Sequence, residues 1–137
     1  MEQIMRPLSW IGQLVEATTG MLESSRENLE NFSEAKTRPH VLDSATVERA
    51  ITCYTEQNDD TELFFKQCAY WRKQVPSAEQ LAGIERIEKE TRELHSSNTE
   101  ILAILEEVRG KTIDAIFAKG DLELLLDMMS GRQPMPD

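Results

Sequence analysis

Residues 84–115 decide the fold of this chain, and they read IERIEKETRELHSSNTEILAILEEVRGKTIDA. Apolar and small polar residues recur there at alternating intervals of three and four, which is typical of the buried face of a helix in a bundle or coiled coil. This face, the seam, comprises Ile84, Ile87, Thr91, Leu94, Asn98, Ile101, Leu105, Val108, Thr112 and Ala115. The period predicts a long third helix over residues 77 to about 119, opened by a capping box of Ser77 and Gln80.

Two earlier segments carry the same period. They predict helix 1 over residues 4 to about 36 and helix 2 over residues 44 to about 75, with Asp43 or Ser44 as the N-cap and Val75 at the end of the buried stripe. Asp121 can cap a short fourth helix over residues 121–130, followed by a tail at 131–137. Short loops favour antiparallel neighbours. We predict a single all-α domain over residues 1–137, an antiparallel three-helix bundle with a long third helix and a short C-terminal fourth helix.

Small polar residues interrupt the buried faces of all three long helices near their middles. With antiparallel helices and short loops, they fall into adjacent layers across the bundle, beside Tyr54 or Gln57. The layers comprise Thr18, Ser25, Thr61, Thr91 and Asn98. Buried polar side chains weaken a helix interface but can fix its register. We therefore interpret these residues as structural polar layers.

The composition bounds the class of protein. The chain has 137 residues, of which 39% are apolar and 29% charged, and its formal net charge is −10. The negative field repels nucleic acid and anionic lipid, so we expect neither a nucleic-acid nor a membrane partner. Residues 7–15, an uncharged and mostly apolar run, are too few to span a bilayer. Cys53 and Cys68 lie too far apart along one helix to pair, and two free thiols favour a cytoplasmic location.

Nucleophilic and metal-ligating residues form no catalytic pattern in the sequence. His95 lacks the Glu-x-x-His spacing of ferritin-like metal sites, and His40 falls in a predicted loop. Cys68 lies on the apolar stripe of helix 2, where a thiol is more typical of packing than of catalysis. The sequence contains no Gly-rich phosphate loop, nucleophile elbow or zinc-ligand spacing. We therefore expect no enzyme activity, no cofactor and no bound metal.

The C-terminal segment is the strongest functional lead. In the predicted register helix 3 extends past the start of helix 2, and the residues beyond Val108 expose more apolar surface than a solitary helix shows to water. The candidate partner-binding residues are Ile113, Ile116, Phe117, Leu122, Leu125, Met128 and Met129. Either helix 4 folds back onto its own bundle, or a second subunit or another partner covers this surface.

These patterns favour interaction over catalysis. We predict a non-enzymatic protein–protein interaction module, in the first place a homo-oligomeric scaffold or adaptor that forms a homodimer. The short, acidic, all-helical chain with a separable C-terminal helix also resembles the flagellar and type III secretion chaperones in architecture, although no motif is shared. That resemblance implies an export or assembly chaperone that binds a client helix at its C-terminal groove. A small-molecule-binding bundle that uses the polar layers is the third possibility.

Overall fold

The computed structural model describes residues 5–39 and 42–112. In this part of the chain three α-helices pack against each other and no strand occurs: α1 is Ile11–Ala35, α2 is Ser44–Arg72 and α3 is Ala78–Val108. A single 3₁₀ turn, Leu8–Trp10, leads into α1. The predicted all-α bundle is confirmed. The predicted fourth helix and the tail lie outside the described residues.

Helices α1 and α3 run in the same direction. Ser25 contacts Ser97, and further along both helices Lys36 pairs with Glu107, with their charged atoms 3.2 Å apart. Partners therefore advance together along the two helices. The closest backbone approaches in the bundle are those of α3 to α1 and of α3 to α2, so α3 is the central element.

Helix α2 runs against the other two. Asn98 on α3 bonds Gln57, and ten residues later Arg109 pairs with Glu48, so the α2 partner moves back along the chain as the α3 partner moves forward. The backbones of α1 and α2 come close at far fewer points than either does to α3. Because α1 and α2 both lie along α3 but stand apart, the bundle is a central helix with two flanking helices.

Two apolar clusters fill the bundle on either side of its polar middle. The Trp71 end contains Ile11, Cys68, Trp71, Ile84 and Ile87. The Tyr54 end contains Val47, Tyr54, Ile101, Leu105 and Val108. Every predicted seam position from Ile84 to Val108 is buried, because the alternating spacing keeps these side chains on the face that α1 and α2 cover. Thr112 is buried as well, although it follows the end of α3.

The predicted caps form, and they fix where α2 and α3 begin. The Asp43 carboxylate accepts a hydrogen bond from the Thr46 amide at 2.7 Å. At the start of α3 the Gln80 amide donates to the Ser77 hydroxyl and the Ser77 amide donates to the Gln80 side chain, at 3.1 and 2.9 Å. Each cap satisfies amides that have no partner inside the helix.

Helix 1 begins and helix 2 ends inside the predicted bounds. Pro7 is extended and precedes the 3₁₀ turn, so the regular helix begins after this proline and not at residue 4. Helix α2 ends at Arg72, and Val75 adopts a positive φ of 52° with 89% of its surface exposed. Placing Val75 on the buried stripe was therefore wrong. Pro76 is the physical reason, because the residue before a proline is disfavoured in the helical region.

Helix α3 also ends earlier than the period predicted. It stops at Val108, Arg109 is extended, and Gly110 adopts φ +85°. The predicted continuation to residue 119 is therefore wrong at Arg109, because a glycine in the left-handed region terminates a helix. The chain then turns so that the Thr112 hydroxyl lies 2.7 Å from the Ser44 hydroxyl at the start of α2. Residues 113–119 lie outside the described residues.

Candidate functional site

The deepest polar layer joins all three helices. Ser25 on α1 donates to Asn98 Oδ1 on α3 at 2.6 Å, and Asn98 Nδ2 donates to Gln57 Oε1 on α2 at 3.0 Å. The Ser97 hydroxyl lies 2.7 Å from that of Ser25. Asn98 is fully buried and uses both ends of its amide on partners from the two other helices. Such a layer is satisfied only in one register, and that role in setting the register remains a prediction.

The three threonines predicted as the neighbouring layer are buried but do not bond one another. Thr18 donates to the carbonyl of Leu14 at 3.0 Å, and Thr61 donates to the carbonyl of Asn58 at 2.6 Å, each within its own helix. The Thr91 hydroxyl has no hydrogen-bond partner among the described residues. Thr18 and Thr61 therefore bond back to their own helices, and the three threonines form no shared hydrogen-bonded layer.

A cleft beside the polar middle involves one of these threonines. It lies between α2 and α3, has a volume of about 230 Å³, and is lined by Thr61, Glu62, Phe65, Arg92 and His95. Neither Thr91 nor Asn98 lines it. The small-molecule site predicted from the polar layers would need both of these residues at its wall.

A largely buried carboxylate, that of Glu90, lies at the contact between α1 and α3. The Glu90 carboxylate accepts hydrogen bonds from Thr19 at 2.6 Å, from Arg86 at 3.0 Å and from Thr18 at 3.3 Å. Burial by itself would raise the pKa of Glu90, but the hydrogen bonds from Thr19 and Arg86 outweigh it and the pKa lies below its usual range. This carboxylate is therefore held ionised and joins the two helices.

The other nucleophilic and metal-ligating side chains of the described residues do not cluster in one place. Among residues 5–39 and 42–112, no three His, Cys, Asp or Glu side chains come together in a way that could hold a metal ion. Burial, and secondarily the charge of Glu88, raises the pKa of the Cys68 thiol to about 12. A thiol in that environment stays protonated at neutral pH and packs as a small apolar group, whereas Cys53 is exposed.

An apolar concave surface lies at the Trp71 end between α1 and α2, and no residue of α3 lines it. This groove has a volume of about 330 Å³. It is lined by Met5, Arg6, Trp10, Gln13, Leu14, Ala17, Leu63, Phe64, Gln67 and Trp71. The lining comes from α1, α2 and the residues that lead into α1, so the separation of α1 from α2 creates the groove.

Hydrogen bonds between α2 side chains and the backbone of Arg6 hold the N-terminal wall of the groove in place. Gln67 Oε1 accepts from the Arg6 amide at 2.8 Å, and Gln67 Nε2 donates to the Arg6 carbonyl at 3.1 Å. The Trp71 indole N–H donates to the same carbonyl at 2.7 Å. These three bonds fix residues 5–7 against α2. They also engage the amide of Gln67 and the indole N–H of Trp71, and the other polar side chains of the lining are Gln13 and Arg6.

The rim of the groove exposes large apolar side chains. Trp10 and Leu63 are 41% and 39% exposed, and Tyr70, two turns further along α2 and outside the lining, is 38% exposed. The Arg6 guanidinium stacks 4.6 Å from the centre of the Trp10 ring. Arg6 is also the one charged residue among the described residues that line the groove. An apolar concave surface with such a rim is typical of a contact site.

The sequence contains a signal for this groove that reading the buried faces alone missed. On helix 1, Trp10, Leu14, Ala17 and Met21 follow the same alternating spacing one position before the buried stripe. On helix 2, Leu63 precedes the buried stripe at Phe64 in the same way. A second apolar stripe beside the first widens the apolar face of each helix. The side chains that α3 does not cover, among them Trp10 and Leu63, line the groove.

The seven partner-binding residues predicted from the sequence, from Ile113 to Met129, lie outside the described residues. The structure therefore leaves that prediction as it stands, and it adds the groove at the Trp71 end as a second candidate contact surface.

Comparison with known proteins gave no relative for this chain: no protein-family model, curated protein or solved structure matches it. Across residues 5–39 and 42–112, none of the helices combines the length and apolar character needed to cross a membrane. The functional argument therefore depends on the geometry of the bundle.

Proposed function

We propose that this chain is a non-enzymatic protein–protein interaction module, a homo-oligomeric scaffold or adaptor whose groove between α1 and α2 receives an apolar helix. The observation that carries the proposal is the apolar groove itself, open along one side and rimmed by exposed Trp10 and Leu63. Amphipathic helices bind such grooves through side chains spaced three and four residues apart.

The polar atoms around the groove favour a helix over a small molecule. Small-molecule sites combine apolar walls with a few free polar groups that orient the ligand. Here Gln67 and the Trp71 indole N–H are already bonded to the backbone of Arg6. The other polar side chains of the lining are Gln13 and Arg6, and the rest of the wall is apolar, which suits a row of leucine or methionine side chains.

Light scattering of the full chain with a charge placed in the groove tests this proposal. We expect the unmodified protein to be an oligomer and Leu63→Glu to be a monomer of unchanged helix content. Ala103→Glu is the matched control, because it adds the same charge at an exposed position of α3 and should leave the oligomer intact. A monomeric unmodified protein, or an oligomer that Leu63→Glu leaves unchanged, would contradict the proposal.

A client helix is a second candidate occupant, as the architectural resemblance to flagellar and type III secretion chaperones implies. The apolar lining favours a client helix as well, because apolar contacts select for apolar side chains and not for a particular sequence. A monomer that binds a leucine-rich helical peptide, and loses that binding in Leu63→Glu, would favour the client over the oligomer.

A further inference from the structure

We infer that the groove at the Trp71 end receives residues 121–130 of a second copy of this chain, in a two-fold dimer whose bundles lie side by side and antiparallel. This inference depends on the proposed function, because it names the occupant of the groove. The segment reads DLELLLDMMS and combines four leucines and two methionines with three acids.

The first argument is the position of Thr112, the last described residue. Thr112 is buried and bonded to Ser44, at the start of α2 and therefore at the Tyr54 end. The groove begins nineteen residues further along α2, at Leu63, which is about 28 Å away along the helix axis. It extends a further 12 Å or so, to Trp71.

The second argument is the distance that residues 113–130 can span along their own bundle. The sequence predicts helix up to about residue 119 and again over residues 121–130, with Gly120 between them, and helices over residues 113–130 together span about 27 Å. Folded back along their own bundle, these helices end at the level of Leu63, where the groove begins. Residues 121–130 would then lie level with about residues 53–62 of α2, beside Tyr54, which Asn28 and Phe32 of α1 already contact.

An antiparallel second copy brings residues 121–130 to the groove, which these residues do not reach when they fold back along their own bundle. It places its own Tyr54 end, and with it residues 113–130, beside the Trp71 end of the first copy. The same two-fold operation places the first copy's segment beside the second copy's groove, so both grooves are filled at once. Closed two-fold contacts of this kind are the commonest in homo-oligomers.

Charge complementarity is the third argument. Arg6 is the charged residue among the described residues that line the groove, and its guanidinium lies over the Trp10 ring at the rim. Residues 121–130 carry Asp121, Glu123 and Asp127 and no lysine or arginine. The leucines of the segment therefore match the lining, and its acids match the single cation beside it.

Disulfide trapping in the full-length chain tests the inference. In a Cys53→Ser background, one batch carries Leu63→Cys and a second, size-tagged batch carries Leu125→Cys. After mixing and mild oxidation, we expect a crosslinked pair that contains one chain of each size. Cys68 remains in place, because its thiol is buried and protonated. Ala103→Cys mixed with Leu125→Cys is the control and should give no crosslinked pair, because position 103 is exposed on α3 away from the groove.

The double variant Leu63→Cys with Leu125→Cys separates the alternatives. A crosslinked monomer, with no crosslink between the mixed single variants, would show that the segment fills its own groove and would overturn the inference. A dimer by light scattering that gives no crosslink in either experiment would also overturn it, while the proposed oligomeric function would stand. A protein that is monomeric and uncrosslinked throughout would contradict both.

Discussion

The two ends of the bundle receive comparable aliphatic side chains from α3, yet they differ in the space between α1 and α2. At the Tyr54 end, the Phe32 and Tyr54 rings meet edge to face with centroids 6.5 Å apart, and Asn28 donates to the Tyr54 hydroxyl at 2.6 Å. At the Trp71 end, Ala17 and Leu63 line an open groove of about 330 Å³.

This difference shows what closes the gap between two helices that both pack on a third. Because α1 and α2 are held apart by α3, a large side chain from each must extend across the gap to fill it. Phe32 and Tyr54 do so at one end. At the other end Trp71 extends inward to the core and is fully buried, so its ring contributes to the wall of the groove without closing it.

The largest expected effect comes from removing the ring that supports the Trp71 end. Trp71→Ala should lower the free energy of unfolding by about 3–5 kcal/mol, because it leaves a large cavity and frees the Arg6 carbonyl from the indole N–H. Urea denaturation followed by circular dichroism measures this. Val75→Ala is the control, since Val75 is 89% exposed and lies outside the groove, and the change should alter the free energy of unfolding by less than about 1 kcal/mol. Equal losses in the two variants would contradict the assignment of Trp71 to the core.

The close contact of α1 with α3 at the same end gives the next effect. A Cβ at Gly83 would lie 2.6 Å from Ile11 Cγ2, so Gly83→Ala should cost about 1–3 kcal/mol through overpacking. Gly20→Ala is the matched variant, because no atom lies within 4 Å of its added Cβ, and it should stabilise the helix by about 0.5–1 kcal/mol. Thermal unfolding of both variants checks the opposite signs, and a stabilising Gly83→Ala would show that α1 approaches α3 less closely.

Filling the groove should make the two ends alike. Ala17→Phe places a ring opposite Phe64, in imitation of the Phe32–Tyr54 pair, and should raise the free energy of unfolding of the monomer by about 1 kcal/mol. It should also weaken self-association, because the ring occupies the site proposed for the partner helix. Chemical denaturation and light scattering on the same samples measure the two effects. A destabilised variant would indicate that the groove is too narrow for a second ring.

The smallest expected effect is a pH dependence at Glu90. Its pKa lies below the ordinary value of 4.5, so the ionised carboxylate stabilises the fold above that pH, and the contribution is lost as pH falls through the lower folded pKa. Glu90→Gln should therefore lower the melting temperature slightly at pH 7, by the equivalent of less than about 1 kcal/mol. The difference from the unmodified protein should shrink below pH 4.5 and vanish once the pH is below the folded pKa of Glu90. A difference that stays constant across this range would contradict the role of the charge.

Features that depend on nearest neighbours in the chain were predictable from the sequence. The capping box at Ser77 and the burial of the seam from Ile84 to Val108 follow from residues within one or two turns of each other. The end of α3 was placed too late, because the period of apolar residues continues past Gly110 although the helix does not. The end of α2 was placed only about three residues too late, because Val75 fits the apolar period but lies directly before Pro76 and adopts a positive φ.

The sequence by itself determined that this chain forms three amphipathic helices with polar residues at mid-length, because a helical period and a cap are local properties of the chain. Only the tertiary structure decided that Asn98 bonds both Ser25 and Gln57 and that a groove opens at the Trp71 end. These features depend on the distance and relative height of α1 and α2, which the packing of both helices on α3 sets. The second apolar stripe at Trp10 and Leu14 is present in the sequence, but whether another helix covers it is a property of the assembled bundle.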